Sequence, residues 1–399
     1  MGKSRIARIH IVSLIAVVAF IGMSASSLAA QQDSGDRFRV RYPRSSAIGG
    51  AHPTLRGDLS MTQNNPAALS RSEPGYQLTT LGTTISGPVF SVLPSFLPGG
   101  DGVDGLLDDD DILDTLRTIN AGVDAAGPVA FGYTGNGIGF SIHNVTGVSL
   151  SSPASGTFEL GATERLVLRG GYAFGVPLPR FRDATLDLGL SIGAFIEGAN
   201  VERFPFIELA DVLGDVGPDL LLDSSFGIGS GFGIGLGMMY TYADDLSIAV
   251  TADNLYAPTV TTEYESLEAF LGDDVGETST SLGKAPTEIN TGVRYRLPLG
   301  RAARYIDEVD VYASYFDAFD VLTRDNPRNV LLKLGVGTEV QLLDILHLRG
   351  GLSEGLLAAG AGLELGVLEF NGAVYGREQS SEPGLNPVYN VGFNADVRF

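Results

Sequence analysis

The sequence predicts an all-β protein, a transmembrane antiparallel β-barrel of about 14 strands with an N-terminal hatch segment. Three observations predict it. From Tyr389 to Phe399 apolar and polar side chains alternate without a break, and the last residue is aromatic. The connections between strand-like segments alternate between short and long along the chain. Past the leader, glycine or a charge interrupts every apolar run before it reaches the roughly 20 residues a helical span needs, so a membrane crossing here must use strands.

The leader comes first. Lys3, Arg5 and Arg8 precede an apolar run from Ile11 to Met23, and then Ser24 to Ala30, small except for Leu28, carry Ser27 and Ala29 at cleavage spacing. Residues 1–29 therefore read as a secretory signal peptide, since the run is short and ends in small residues rather than a basic stop. The mature chain starts near Ala30 or Gln31, with a hatch over 30–75 and the barrel over 76–399.

Residues 37–75 show no strand alternation. They carry Arg37, Arg39, Arg41 and Arg44, a small-residue stretch from Ser45 to Ala51 that includes Gly49 and Gly50, and then Gly57, Asp58, Asn65, Pro66, Ala67, Ala68 and Leu69. A polar segment ahead of the first strand reads as a hatch folded into the barrel mouth.

Period-two alternation then marks strands near 77–86, 126–135, 138–148, 164–176, 185–201, 225–242, 246–254, 289–297, 308–315, 330–342, 345–353, 356–365, 368–375 and 389–399. Several are long enough to cross a bilayer at a tilt, which takes about 9 to 11 residues. The short connections are Asn136 to Gly137, Val176 to Ala184, Ala243 to Asp245, Pro298 to Asp307, Leu343 to Asp344 and Gly366 to Val367. The long ones cover 87–125, 149–163, 202–224, 255–288, 316–329 and 376–388, with one exception at Glu354 to Gly355. Short turns on one side and long loops on the other is the outer-membrane barrel pattern, with both termini on the turn side.

Face composition agrees. Ile289, Thr291, Val293, Tyr295 and Leu297 alternate with Asn290, Gly292, Arg294 and Arg296, and Leu186, Leu188, Leu190 and Ile192 alternate with Asp187, Gly189, Ser191 and Gly193. Val330, Leu332, Leu334, Val336, Thr338 and Val340 are likewise expected to face lipid, opposite Lys333, Glu339 and Gln341. One strand departs: Gly227, Gly229, Gly231, Gly233, Gly235 and Gly237 occupy every lumen position opposite Phe226, Ile228, Phe232, Ile234 and Leu236. Such a face leaves room for a plug segment or a substrate passage, or else only relieves curvature. With no Trp in the chain, the aromatic girdles fall to Tyr and Phe such as Tyr172, Phe174, Tyr240, Tyr242, Tyr295, Tyr315, Tyr389 and Phe399.

The stretch SSAIGGAHPTLRGDLSMTQNNPAALS, Ser45 to Ser70, resembles the N-terminal motif of the long-chain fatty-acid transporter (FadL) superfamily, whose related barrels include PorV-type and spirochaetal FadL-like proteins. The order is small-Gly-Gly-Ala, an Asp about seven residues on, and Asn-Pro-Ala about seven beyond that. The resemblance implies a fourteen-stranded barrel occluded by its N-terminal segment, with hydrophobic compounds captured outside, passed through the interior and released laterally or into the periplasm. By motif position Gly49, Gly50, Ala51, Asp58, Asn65, Pro66 and Ala67 belong to the hatch. Pro66 fixes its own φ and biases Asn65 toward an extended conformation, which suits a sharp chain reversal. Ile207, Leu209, Val212 and Leu213, with Leu267, Phe270 and Leu271, sit at helical spacing in the two loops where such proteins resemble a paired capture surface; alternatively, short helices bury these residues against each other. Leu106, Ile112, Leu113, Leu116 and Ile119 add a similar pattern in the first loop.

Composition excludes other classes. The chain has no cysteine, which removes disulfides, thiolate metal sites and a lipoprotein anchor. Its 53 glycines are about twice the usual usage of roughly 7%, and its net charge of −21 argues against nucleic acid. Asp101, Asp104 and Asp108 to Asp111 lack EF-hand spacing and read as a solvated acidic loop. His52, His143 and His347 are too dispersed for a metal cluster. No P-loop or paired-carboxylate constellation with an evident base stands out, so neither an enzyme nor a cofactor is expected. The expected function is an outer-membrane channel for uptake or transfer of hydrophobic small molecules such as long-chain fatty acids. A docking or shuttle barrel for exported proteins is the second reading, and a general diffusion porin the third.

Overall fold

A computed structural model describes residues 36–88, 120–154, 157–178, 183–205, 208, 222, 224–272, 277–320 and 327–399. The expected signal peptide, the acidic run and the apolar residues of the first loop lie outside these residues, as do Ile207, Leu209, Val212 and Leu213.

The strands are β1 (Gly75–Ser86), β2 (Asn120–Gly135), β3 (Ile138–Ala154), β4 (Thr157–Pro177), β5 (Ala184–Pro205), β6 (Ser225–Tyr242), β7 (Leu246–Tyr256), β8 (Pro258–Tyr264), β9 (Glu277–Lys284), β10 (Glu288–Arg296), β11 (Glu308–Tyr315), β12 (Leu334–Leu342), β13 (Leu346–Ser353), β14 (Leu356–Leu365), β15 (Leu368–Glu378) and β16 (Pro387–Arg398). All form one antiparallel sheet that closes on itself, because β5 pairs with β6 and β1 with β16. β6 pairs first with β7 and then with β8, and β8 with β9, so β7–β8 and β9–β10 are each one wall strand bent at Ala257 and Ala285. The barrel thus has fourteen wall strands. The last strand meets the first in the register Gln77↔Arg398 to Ser86↔Asn390, which removes the open edge.

Outward residues are apolar and exposed, such as Leu190, Ile192, Ile196, Phe232, Leu236 and Val293, whereas Arg165, Arg169, Asp187, Glu197, Arg294, Glu339 and Arg349 are buried inside. This inversion of the water-soluble pattern suits lipid outside and a polar lumen. At the turn end, Asn136–Gly137, Ala243–Asp244 and Leu343–Asp344 all have positive φ, which lets these connections of two or three residues follow the strand twist. Tyr76, Phe131, Tyr133, Phe140 and Phe399 cluster at the same end.

Three local expectations change. The connection expected over 149–163 is strand: β3 and β4 pair as far as Ala154↔Thr157, and Phe158 stacks on Phe204 at 5.9 Å. Phe158, Leu160 and Glu159 are all buried there, so both faces are covered and the alternation that marks a lipid-facing strand is lost. The stretch 255–288 contains the β8–β9 hairpin, whose residues Ser279 to Lys284 are all exposed and show no apolar period. Val330–Lys333 is a 3₁₀ turn rather than strand, started by Asn329, whose side chain accepts from the Leu331 amide at 3.0 Å; Leu332 consequently points inward.

Wall height is uneven. β3, β4 and β5 have 17, 21 and 22 residues, far beyond a bilayer's requirement, while β12, β13 and β14 have 9, 8 and 10. The loop end is therefore a slanted rim, low on the β12–β14 side.

Candidate functional site: a hatch, two cavities and an interrupted wall

Residues 36–74 fill the lumen with short pieces: 3₁₀ turns at Asp36–Phe38 and Pro66–Arg71, and helices α1 (Pro43–Ala47) and α2 (Met61–Asn64). None is long enough to be stable alone, so the wall must hold them. Met61, Ala67, Ala68 and Leu69 pack on Ala173, Met239 and Ala249, and Val40, Tyr42 and Leu59 on Val145 and Val167.

Charge does the rest. Arg37 pairs with Glu197 at 3.2 Å, Arg39 with Asp253 and Glu288 at 3.0 Å each, and Arg71 with Asp187 at 2.9 Å and Asp244 at 2.7 Å. Arg44 grips Glu339 with two bonds, Nε to Oε1 at 3.1 Å and Nη2 to Oε2 at 2.8 Å, and it also reaches Asp58 at 2.9 Å. Glu339 accepts a further bond from Arg349 of the wall at 2.7 Å. The basic cluster of the hatch thus meets acidic residues of the lumen, in a setting where a lost partner costs more than it does in water.

The motif residues occupy the tightest points. Gly49 has φ +84°, and a Cβ there would lie 2.5 Å from the Val336 carbonyl oxygen; Gly50 has φ +125° and lies against Phe316. Ala51 follows this reversal and lines the larger cavity described below. The Asp58 carboxylate accepts from the Ser60 amide at 2.8 Å as well as from Arg44. Asn65 is extended at φ −162°, accepts from the Ala67 amide at 2.9 Å and donates to the Pro53 carbonyl at 2.8 Å, with Pro66 opening the following turn. His52 donates from Nε2 to the Ile48 carbonyl at 2.7 Å, which leaves Nδ1 to accept from the Ser314 hydroxyl at 2.6 Å. Burial lowers its pKa from 6.5 to about 4, so it is neutral at pH 7.

The glycine face of β6 is where much of this seats. A Cβ at Gly237 would lie 2.9 Å from Pro66 Cδ and 3.0 Å from the Ala67 amide; Gly233 faces Phe38 and Asn254, and Gly229 faces Arg37. Gly231 lies against Phe195, Gly235 against Ser191 and Asp253, and Gly227 touches only backbone. The space those glycines leave is occupied by hatch and by wall side chains, and neither cavity described below includes them.

Two cavities flank one stretch of the hatch. The larger, about 300 Å³, lies toward the low rim; its lining includes Arg41, Tyr42, Phe316, Leu332, Lys333 and Tyr375. The smaller, about 60 Å³, includes Tyr42, Thr83, Ala126, His143 and Phe393. Both share Arg39, Val40, Arg41 and Tyr42, so this one stretch of hatch stands between them. Tyr42 anchors the stretch through a hydrogen bond between its hydroxyl and His143 Nε2 at 3.0 Å.

The smaller cavity backs onto an interrupted seam. β1 and β2 pair up to Leu78↔Phe131 and resume at Gly82↔Ala126, and β2 carries Gly127, Pro128 and Val129 opposite the single residue Asn144 of β3. Gly127 has φ +101° and Pro128 has no amide hydrogen, so neither continues a ladder. Asn144 holds the excursion by accepting from the Val129 amide at 2.9 Å. The interruption escaped sequence reasoning; Gly127–Pro128 inside a strand was its available signal.

Of the described loop residues, Phe270 is buried against Phe226 at 5.2 Å and Tyr264 at 5.0 Å in helix α3 (Leu267–Leu271), Leu267 is half-buried and Leu271 is exposed. No cluster of three or more His, Asp or Glu that could hold a metal occurs among the described residues.

No family model and no curated protein matches the sequence. Among solved structures the chain is similar to the Pseudomonas putida toluene transporter TodX, at 11% identity over 93% of this chain and 98% of that one, with a TM-score of 0.42. It is similar to the CymD monoaromatic hydrocarbon channel, at 11% identity over 89% and 96% with a TM-score of 0.44, and to a Pseudomonas aeruginosa FadL homologue, at 11% over 94% and 99% with a TM-score of 0.41.

Proposed function

We propose that the chain is a bacterial outer-membrane channel that takes hydrophobic small molecules, such as long-chain fatty acids, into its lumen and releases them sideways between β1 and β2. The observation that carries this is the pair of cavities divided by Arg39–Tyr42, one in the lumen and one directly behind the interrupted seam. A molecule moving from the first to the second needs that one stretch of hatch to shift, not the removal of the whole plug. The exposed apolar exterior and the paired first and last strands support a membrane-embedded closed wall. The ion-paired hatch weighs against an open diffusion porin, which would require a continuous aqueous lumen.

Deletion of Gly127 and Pro128 leaves one residue opposite Asn144 and restores regular pairing of β2 with β3. In cells carrying the chain in their outer membrane, uptake of radiolabelled dodecanoate is expected to depend on the protein and to collapse in this deletion. Equal uptake by the deletion variant, with a heat-resistant barrel still present, would refute the lateral route. Uptake no faster than in cells without the protein would refute the channel itself.

A further inference from the structure

The low rim carries an apolar sill that leads into the larger cavity. In the turn Val330–Lys333, Val330 and Leu331 are 56% and 59% exposed, while Leu332 and Lys333 are buried and line the cavity. Leu357, at the start of β14, and Leu385, in the connection between β15 and β16, are 71% and 72% exposed. Polar bonds tie these pieces together: Arg328 donates to Glu354 at 2.9 Å, the Asn329 amide donates to the Ser381 carbonyl at 2.9 Å, and the Asn329 side chain donates to Glu382 at 2.8 Å. The turn is thus pinned across the tops of β13 to β16, with its apolar residues left outward.

Height gives this placement meaning. β12, β13 and β14 are about as long as a bilayer crossing requires, so their loop-end tips lie at the membrane surface, whereas β3 to β5 rise well beyond it. Lys333 and Asp320 form a buried ion pair just inside the turn, and the same cavity is lined by Arg39, Arg41, Arg328 and Arg377 together with Glu288, Asp317 and Glu354, which leaves one more cation than anion around it.

We propose that Val330, Leu331, Leu357 and Leu385 form the entry site for a single-chain anionic amphiphile, whose apolar chain lies over the sill while its head passes Leu332 into the charged cavity. This rests on the reading of the chain as a channel and adds where the substrate enters. It assigns entry to the low side of the rim, away from α3. Continuity decides the occupant: one short turn has exposed apolar residues on its outer side and a charged cavity on its inner side, which matches an amphiphile's two ends.

The chain contains no Trp, so Leu331→Trp or Leu357→Trp supplies the only indole, and Leu343→Trp, at an exposed position of the turn end, supplies a control. In proteoliposomes titrated with ω-brominated dodecanoate, saturable quenching is expected at 331 and 357, at lower concentration than any quenching at 343. Quenching that is equal and unsaturable at all three positions would mean ordinary partitioning into lipid and would overturn the sill. In cells, Leu331→Asp combined with Leu357→Asp should slow dodecanoate uptake about tenfold, because two apolar contacts are lost. The milder pair Leu331→Ser and Leu357→Ser should fall between, and both variants must keep heat-resistant mobility. Unchanged uptake in the folded Asp variant would also overturn the sill. Absence of uptake by the unaltered protein would overturn the channel reading, while the quenching arm would still decide the site.

Discussion

Replacing Glu339 by Gln tests whether charge seats the hatch. Glu339 receives two bonds from Arg44 and one from Arg349, and all three side chains are largely out of water. In the Gln variant Arg44 keeps Asp58 at 2.9 Å and the Arg56 carbonyl at 2.8 Å, but it then faces Arg349 with no anion between them. Breaking a buried pair costs about 3 to 5 kcal/mol, and the contacts Arg44 retains place the effect near the lower figure. At about 1.4 kcal/mol per factor of ten, about 3 kcal/mol shifts the seated-to-released ratio about 150-fold. Single-channel recording in planar bilayers reads that ratio as the fraction of time the pore conducts. The Gln variant should conduct far more often than the unaltered protein, and Glu339→Asp should fall between them. An unchanged open fraction, with the barrel still heat-resistant, would refute electrostatic seating.

Other perturbations address the same hatch. Gly49→Ala forces a side chain into a left-handed position 2.5 Å from a carbonyl oxygen, so protease sensitivity of residues 36–74 should rise at least about tenfold. Asn65→Ala removes the cap of the Pro66–Arg71 turn and should weaken seating by about 1 kcal/mol, visible as a smaller rise in the same digestion. Gly237→Val would drive its side chain into Pro66 and Ala67 and should open the pore in bilayer recordings without lowering the barrel's heat resistance. For His52 the seated pKa of about 4 lies below its ordinary 6.5, so the released hatch binds the proton more readily between those values. Seating is therefore favoured above pH 6.5 and loses up to about 3 kcal/mol as pH falls through 4. The open fraction should rise over that window in the unaltered protein, and by less in His52→Gln.

The wall was legible because lipid outside and a polar lumen impose strict alternation, and the pairing of Gln77–Ser86 with the last strand follows from closure. The hatch could be located as a segment, since Arg37, Arg39, Arg41 and Arg44 interrupt any apolar period, but their partners Glu197, Asp253 and Glu339 lie 160 to 295 positions away and only folding brings them together. Beyond the membrane the rule of alternation stops. That is why the upper parts of β3 and β4 and the β8–β9 hairpin read as loop, and why Leu332 was expected to face lipid. The glycine face of β6 signalled empty volume without saying what fills it, and Phe38, Pro66 and Ala67 supply that answer. Gly127–Pro128 marked an irregularity in β2, but which seam it opens was not legible, because a break in pairing is a property of two strands while the sequence displays each alone.

The most direct measurement is the anomalous diffraction of bromine in crystals of the purified barrel soaked with ω-brominated dodecanoate. Peaks in the cavity beside Leu332 and Tyr375, and in the one between Thr83, His143 and Phe393, are the predicted result, since they mark both sides of Arg39–Tyr42 on one route. Bromine found only against the outer apolar belt, with both cavities free of it, would contradict the channel.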